Sequence, residues 1–400
     1  MGGPTPARMR AVPDRPVWLI SGDGHVGPPA ADYERYLDPG LRQAFSGWLD
    51  GHQWHFTPGR PESLQPRDLH QRFQAHDDFP AMQWDPAARL SEYDRSGIVA
   101  EVLFPDDQTM NEPPWGAGMA PPPFDQRYNP YLTRAGARAH NRWLAEFCSA
   151  HPNRLLGLTV VGTLEDVDQA VDEVSRAYDH GLRTGVLLPL SYDLPLYHHD
   201  RYEPLWELCS SLGLSIVVHA SKGGPDWYGP TVETAFKIYI TEFAWFAHRP
   251  LWCLLLGGVL EHHPNLHVVI TEAGSSWVGQ LLDRVDGRAE RHGFDTGDLP
   301  SDLYRRQCYV VHSSYIRRDE VEPAALERSP NLLWGADTGH GEGMWPDVRE
   351  GLRDLLHGLP EAAMRPFLCD AAVQAYRLDV ATLTEVAERI CPTSRELALT

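Results

Sequence analysis

The stretch Val17-Trp-Leu-Ile-Ser21-Gly-Asp23-Gly-His25 begins as an apolar run and ends in side chains able to bind a metal. Two α/β plans place polar residues directly after a first strand: an open doubly wound sheet and a closed barrel. A dinucleotide-binding sheet would carry a GxGxxG turn here to cradle phosphate. No such turn follows, which favours the barrel. Seven further short apolar runs support this: Ile98–Phe104, Leu156–Val161, Thr184–Leu188, Ser215–His219, Leu266–Glu272, Cys308–Ser313 and Leu332–Asp337. They are rich in Leu and β-branched residues and show little alternation, as parallel strands buried on both faces do.

The segments between the runs read as helices. Thr163-Leu-Glu-Asp166 reads as a capping-box variant. Behind it Val167, Ala170, Val171, Val174, Ala177 and Tyr178 recur at helical spacing, and Gly181 suits the C-terminal cap. Gly213 closes a similar pattern through Leu205, Leu208, Cys209 and Leu212. Eight strand–helix repeats predict a (β/α)8 TIM barrel, one domain spanning 1–400 with its core at about 17–380 and a helical C-terminal tail around 361–391. Two connections are long: 38–85 after strand one, with Trp48, Trp54, Arg60 and Trp84, and 105–130 after strand two, with Trp115 and Phe124. Both leave the strand ends where barrel enzymes keep their active sites.

With 35 basic and 55 acidic residues the chain carries a formal charge of −20, which repels phosphate backbones and anionic membrane surfaces. Nucleic-acid and membrane partners are therefore not expected. No run of about 18 apolar residues is present. The region around Arg8, Arg10 and Arg15 lacks the apolar core of a signal peptide. The six cysteines lie far apart without a CxxC pair, so they read as buried thiols of a cytoplasmic protein.

The residues that end the runs carry the chemistry. Asp23 and His25 end strand one, His219 strand five, Glu272 strand six, His312 and Ser313 strand seven, and Asp337 strand eight. In a closed barrel these ends meet on one rim. An Asp/His/His/Asp set of oxygen and imidazole donors suits one divalent ion, Zn²⁺ first and Mn²⁺ second. Each residue alone has a plainer reading: Asp-x-His as a turn, a strand-end His as a structural hydrogen-bonding residue, Glu272 or Asp337 as a helix cap. The argument rests on their joint placement.

Several stretches resemble the amidohydrolase-related proteins of the amidohydrolase superfamily, which are metal-dependent TIM barrels that include hydrolases and decarboxylases. The similar stretches are Ile20–Pro29, Tyr33–Pro39, Gly97–Pro105, Ala139–Cys148, Val268–Trp277 and Leu333–Pro346. The resemblance implies that Asp23, His25, His219 and Asp337 are the metal ligands, with Asp337 also moving protons. No lysine ends the fourth run, so the bridging carboxylated lysine of binuclear relatives is missing and one ion is expected. Glu272 replaces a histidine found in several relatives and is left as a fifth ligand, an acid/base or an orienting group. The chain departs from the family's Ser-Asp-Tyr-Pro-His at Ala336-Asp-Thr-Gly-His340, and from its Gly-Asn-Ala segment at Cys369-Asp-Ala-Ala372 ahead of Tyr376.

The resulting expectation is hydrolysis of a small, aromatic amide or ester by activated water. Asp337 would be the general base, Glu272 and His340 would assist, and Trp54, Arg60, Trp84 and His312 would contact substrate. Non-oxidative decarboxylation of an aromatic carboxylate is the first alternative, with Arg60, Arg89 and Lys222 as candidate cations. Metal-assisted ring closure is the second, and a non-catalytic ligand-binding barrel the last. The expected partners are a small-molecule substrate and a second copy of the chain, in a homodimer or larger homo-oligomer.

Overall fold

The computed structural model describes residues 15–51, 79–105, 111–118, 129–190, 194–220, 232–293, 298–340 and 343–400. Eight parallel strands follow one another in chain order around a sheet: β1 (Leu19–Val26), β2 (Ile98–Pro105), β3 (Leu155–Val160), β4 (Gly185–Leu187), β5 (Ser215–His219), β6 (Val268–Thr271), β7 (Cys308–His312) and β8 (Leu332–Trp334). Every strand residue is buried, which explains why the sequence shows continuous apolar runs rather than alternation. Helices lie between the strands, and the architecture is a (β/α)8 barrel.

The barrel is drawn together between its first and last strands. Asp337 N–H donates to Asp23 O (2.9 Å) and His25 N–H to Thr338 O (2.7 Å). The Ser21 hydroxyl accepts from Ala336 N–H (2.9 Å). β1 reaches further than its apolar run predicts. Gly22-Asp-Gly-His reads as a turn, yet Gly24, His25 and Val26 pair with Leu103, Phe104 and Pro105 across a register shift. The first two candidate ligands thus sit on a bulged strand, where a local kink re-aims side chains.

The long connection at 38–85 has structure of its own: a helix runs from Arg42 to Gly51, and Phe45 and Trp48 pack against Trp115 of the second connection. Residues 52–78 lie outside the described residues. The helix Val167–Asp179 starts one residue after Asp166, whose carboxylate accepts from Gln169 N–H (3.1 Å). Asp166 is therefore the cap in place of Thr163, because its side chain is the one that reaches the free N–H.

The predicted C-terminal tail closes the opposite end of the barrel. Its helices Ala371–Tyr376 and Val380–Ile390 bring Ala372, Ala375, Tyr376 and Leu383 against the interior residues Ile20, Val217, Val269 and Leu333. Polar contacts lock it there: Ala375 O accepts from the Ser215 hydroxyl (2.6 Å), with His267 Nδ1 3.1 Å away. Five cysteines are buried and Cys391 half-buried, all as free thiols. Among the described residues, no helix is long and apolar enough to cross a membrane.

Candidate metal centre

Four side-chain atoms converge at the C-terminal mouth of the barrel. His25 Nε2 lies 3.4 Å from Asp23 Oδ1 and 3.5 Å from Asp337 Oδ1. His219 Nε2 lies 3.6 Å from Asp23 Oδ1. All four residues are buried, and these four atoms have no hydrogen-bond partner among the described residues. Orphaned buried polar atoms are costly, and four clustered around His25 call for a partner that lone pairs can bind. Four donors at roughly 2.0–2.2 Å from a tetrahedral ion would stand about 3.3–3.6 Å apart, which the three separations above match. The donor atoms group as two triads that share His25, namely Asp23–His25–His219 and His25–Asp337–His340.

The backbone explains the aim. His25 Nδ1 faces Pro105 O (3.3 Å) and His219 Nδ1 faces Ala220 O, so each ring's proton goes to a carbonyl and its Nε2 lone pair to the centre. Asp23 Oδ2 accepts from the Ser313 hydroxyl (2.6 Å), which leaves Oδ1 for the centre. Asp337 lies just beyond β8 with φ 51°, and Glu272 just beyond β6 with φ 58°. Non-glycine residues rarely adopt this left-handed conformation, and it clusters at functional sites. Gly343 makes the Asp337 turn possible, since a Cβ there would meet Asp337 O at 2.3 Å.

Two further residues line the cluster. The His340 ring stacks on His25 with centroids 3.6 Å apart, and its Nδ1 lies 3.1 Å from Asp337 Oδ1. Glu272 Oε2 lies 3.5 Å from His219 Nε2. The Ser314 hydroxyl stands between Glu272 Oε1 (2.8 Å) and Asp337 Oδ2 (3.1 Å). Phe104 packs beside His25 and His219.

Electrostatics follow from this crowding. Burial pushes the Asp23 carboxyl up, but the adjoining His219 and His25 rings more than offset it and hold the group well below the usual carboxylate range. Burial also disfavours a charged His219, yet the Asp23 and Glu272 carboxylates prevail and raise its pKa to about 9. His25 moves the other way, down to about 4, through burial and the neighbouring His340.

The structure thus brings together Asp23, His25, His219, Asp337, Glu272 and His340. His312 does not join them. It lies on the opposite face of β7 from Val311, with Nδ1 3.0 Å from the Ser275 hydroxyl and Nε2 3.6 Å from Glu320. Ser313 and Ser314 face the centre instead. Trp84 is 38 % exposed beside the exit of β1, where Gln83 O accepts from Gly27 N–H. Arg89 is wholly buried and ion-paired with Glu101 at 2.7 Å, so it is not at hand for a substrate. Trp54, Arg60 and Lys222 lie outside the described residues. Sequence reasoning missed Ser314 and the Arg89–Glu101 pair, and named Ser313 only as a run end without a role. Only the pair left a signal: a glutamate inside the apolar run of β2 needs a buried partner.

A family model described as Amidohydrolase matches residues 55–378, most of the chain. The chain belongs to the amidohydrolase family. No curated protein matches this amidohydrolase. Its fold is similar to that of an amidohydrolase from Mycobacterium avium subsp. paratuberculosis K-10 (19% identity, TM-score 0.64, 93% of this chain and 100% of that one). It is also similar to 5-carboxyvanillate decarboxylase from Sphingomonas paucimobilis (19% identity, TM-score 0.59, 91% and 100%). The same holds for 5-carboxyvanillate decarboxylase from Novosphingobium aromaticivorans (13% identity, TM-score 0.63, 90% and 96%), a structure containing manganese and 4-hydroxy-3-methoxy-5-nitrobenzoic acid. At these identities the likeness establishes the fold of the amidohydrolase and nothing finer.

Proposed function

We propose that this amidohydrolase is a mononuclear, divalent-metal-dependent hydrolase that cleaves an uncharged amide or ester of a small aromatic compound. Asp23, His25, His219 and Asp337 would hold the ion. When bound, it supplies Lewis-acid polarisation of the scissile carbonyl and lowers the pKa of water.

The chain's own residues do the rest. Asp337 accepts the proton of the attacking water and returns it to the departing nitrogen or oxygen. His340, with Nδ1 3.1 Å from Asp337 Oδ1, flanks that carboxylate. Ser314 ties Asp337 to Glu272, which places Glu272 to orient the substrate. Phe104 supplies an apolar wall beside the two histidines.

The observation that carries the reading is the acid excess of the mouth. Three carboxylates, Asp23, Asp337 and Glu272, surround the centre, and among the described residues the cation close behind it, Arg89, is committed to Glu101. One divalent ion offsets two of those charges. The balance among the described residues is thus net negative, which disfavours a carboxylate substrate and suits a neutral one.

Decarboxylation is the second reading, favoured by the 5-carboxyvanillate and 2,6-dihydroxybenzoate decarboxylases among the structures with this fold. The test is to load the purified protein with Zn²⁺ or Mn²⁺ and offer matched panels of aromatic amides, aromatic esters and hydroxybenzoates. Release of free acid with amine or alcohol is expected. Release of CO₂ from the hydroxybenzoates, with amides and esters untouched, would replace hydrolysis by decarboxylation.

A further inference from the structure

Directly behind β1, on the side away from the mouth, lies a polar cluster that none of the chemistry above uses. Its centre is the guanidinium of Arg89, from the helix Pro86–Ser96. Nε donates to the Tyr93 hydroxyl (3.3 Å). Nη1 donates to His25 O (3.2 Å) and to Gln83 Oε1 (3.5 Å). Nη2 donates to Glu101 Oε2 (2.7 Å) and Thr338 O (3.5 Å). An arginine has five N–H donors, and here all five have acceptors. Glu101, on β2, uses its other oxygen to accept from the Thr338 hydroxyl (2.8 Å).

The two carbonyls that Arg89 grips belong to His25 and to Thr338, the neighbour of Asp337. These residues lie on the two chain segments that meet where the barrel closes, and those segments supply three of the four candidate ligands. Glycine at position 24 belongs to the same arrangement. A Cβ there would stand 2.3 Å from the Glu101 carboxyl carbon, so the Asp-Gly-His spacing leaves room for the carboxylate beneath it.

We propose that the buried Arg89–Glu101 pair is the positioning device of the metal centre, clasping the His25 and Asp337 segments at the spacing one ion requires. This rests on the metal-centre reading above. The planar fork is essential to the role. A lysine would keep the pair charge-balanced but could not reach both carbonyls and the carboxylate at fixed geometry. A pair retained only for stability would behave otherwise, because replacing a buried ion pair by apolar residues of similar volume is often neutral or stabilising.

The experiment compares the parent with Arg89→Lys and the double variant Arg89→Met/Glu101→Leu, using Asp23→Ala as a ligand control. Zn²⁺ affinity is measured by competition with a fluorescent chelator, and metal-free folding by thermal unfolding. Outer-shell partners of metal ligands are typically worth about 10–100-fold in affinity, and a loss of that size is expected in both variants. The double variant is expected to retain the metal-free melting behaviour of the parent. If both variants bind within about threefold of the parent while Asp23→Ala loses binding, the positioning role is overturned and the metal centre stands. If the parent does not bind, or Asp23→Ala binds as the parent does, the metal-centre reading itself fails.

Discussion

The two ends of the barrel are built to opposite rules. At the base, the C-terminal tail fills the interior with Ala372, Ala375, Tyr376 and Leu383, and Ser215 and His267 converge on one tail carbonyl. At the mouth, four buried polar atoms lack partners among the described residues, two acidic residues hold left-handed backbone, and three carboxylates crowd three imidazoles. The base gathers stability, and the mouth spends some of it on chemistry. The base has an unpartnered buried atom too, Tyr376 Oη, but among the described residues only at the mouth do such atoms cluster among metal-binding side chains. A protein departs from full hydrogen bonding where function demands it, which marks the mouth as the candidate functional end.

The sharpest way to break this contrast is at the ligands. His219→Ala and Asp337→Ala are each expected to reduce metal from about one ion per chain to none by elemental analysis, as a four-donor site loses a donor. Full occupancy in both would return the mouth to an ordinary polar surface. At the base, Leu383→Ala is expected to cost about 2–5 kcal/mol in denaturant unfolding, the range for emptying a buried leucine site. Metal affinity should stay at the parent's value, and a large drop would show that the two ends are not independent.

Acid probes a third layer, between barrel and helices. Burial holds His140 neutral with its pKa lowered to about 3 and His248 with its pKa lowered to about 4. Below pH 6.5 the unfolded chain takes up protons at these two rings and the folded one does not. Each therefore removes about 1.4 kcal/mol of stability per pH unit between roughly pH 6.5 and its folded value. Metal-free His219 works in the opposite sense: its contribution is complete below pH 6.5 and is lost as pH rises through about 9. Unfolding of the metal-free parent and of His248→Gln across pH 5–7 checks this, with a shallower decline expected in the variant. The smallest effect belongs to Ser215→Ala at the base, about 1 kcal/mol for one hydrogen bond, with metal content unchanged.

How legible each end was follows from the same physics. All eight strands could be read because burial on both faces makes a parallel strand a continuous apolar run. The reach of β1 could not, because Gly-Asp-Gly has the composition of a turn and only pairing with β2 makes it strand. The four candidate ligands were readable from their positions at the run ends. His312 was assigned to the wrong face of β7, because side chains alternate along a strand and an apolar run does not reveal which parity points inward. Arg89 was read as a cation for substrate, since charge alone does not distinguish a residue that faces a pocket from one wrapped by carbonyls. Its partner Glu101 held the clue.

The meeting of β1 with the segment after β8 has a consequence in time. Asp23 and Asp337 are separated by more than 300 positions. At about 5–20 residues per second, the ribosome makes them roughly 15–60 s apart. Until Asp337 emerges, a nascent chain can offer an ion only part of its cage. A four-donor cage at this mouth could thus form only after about five-sixths of the chain has been made.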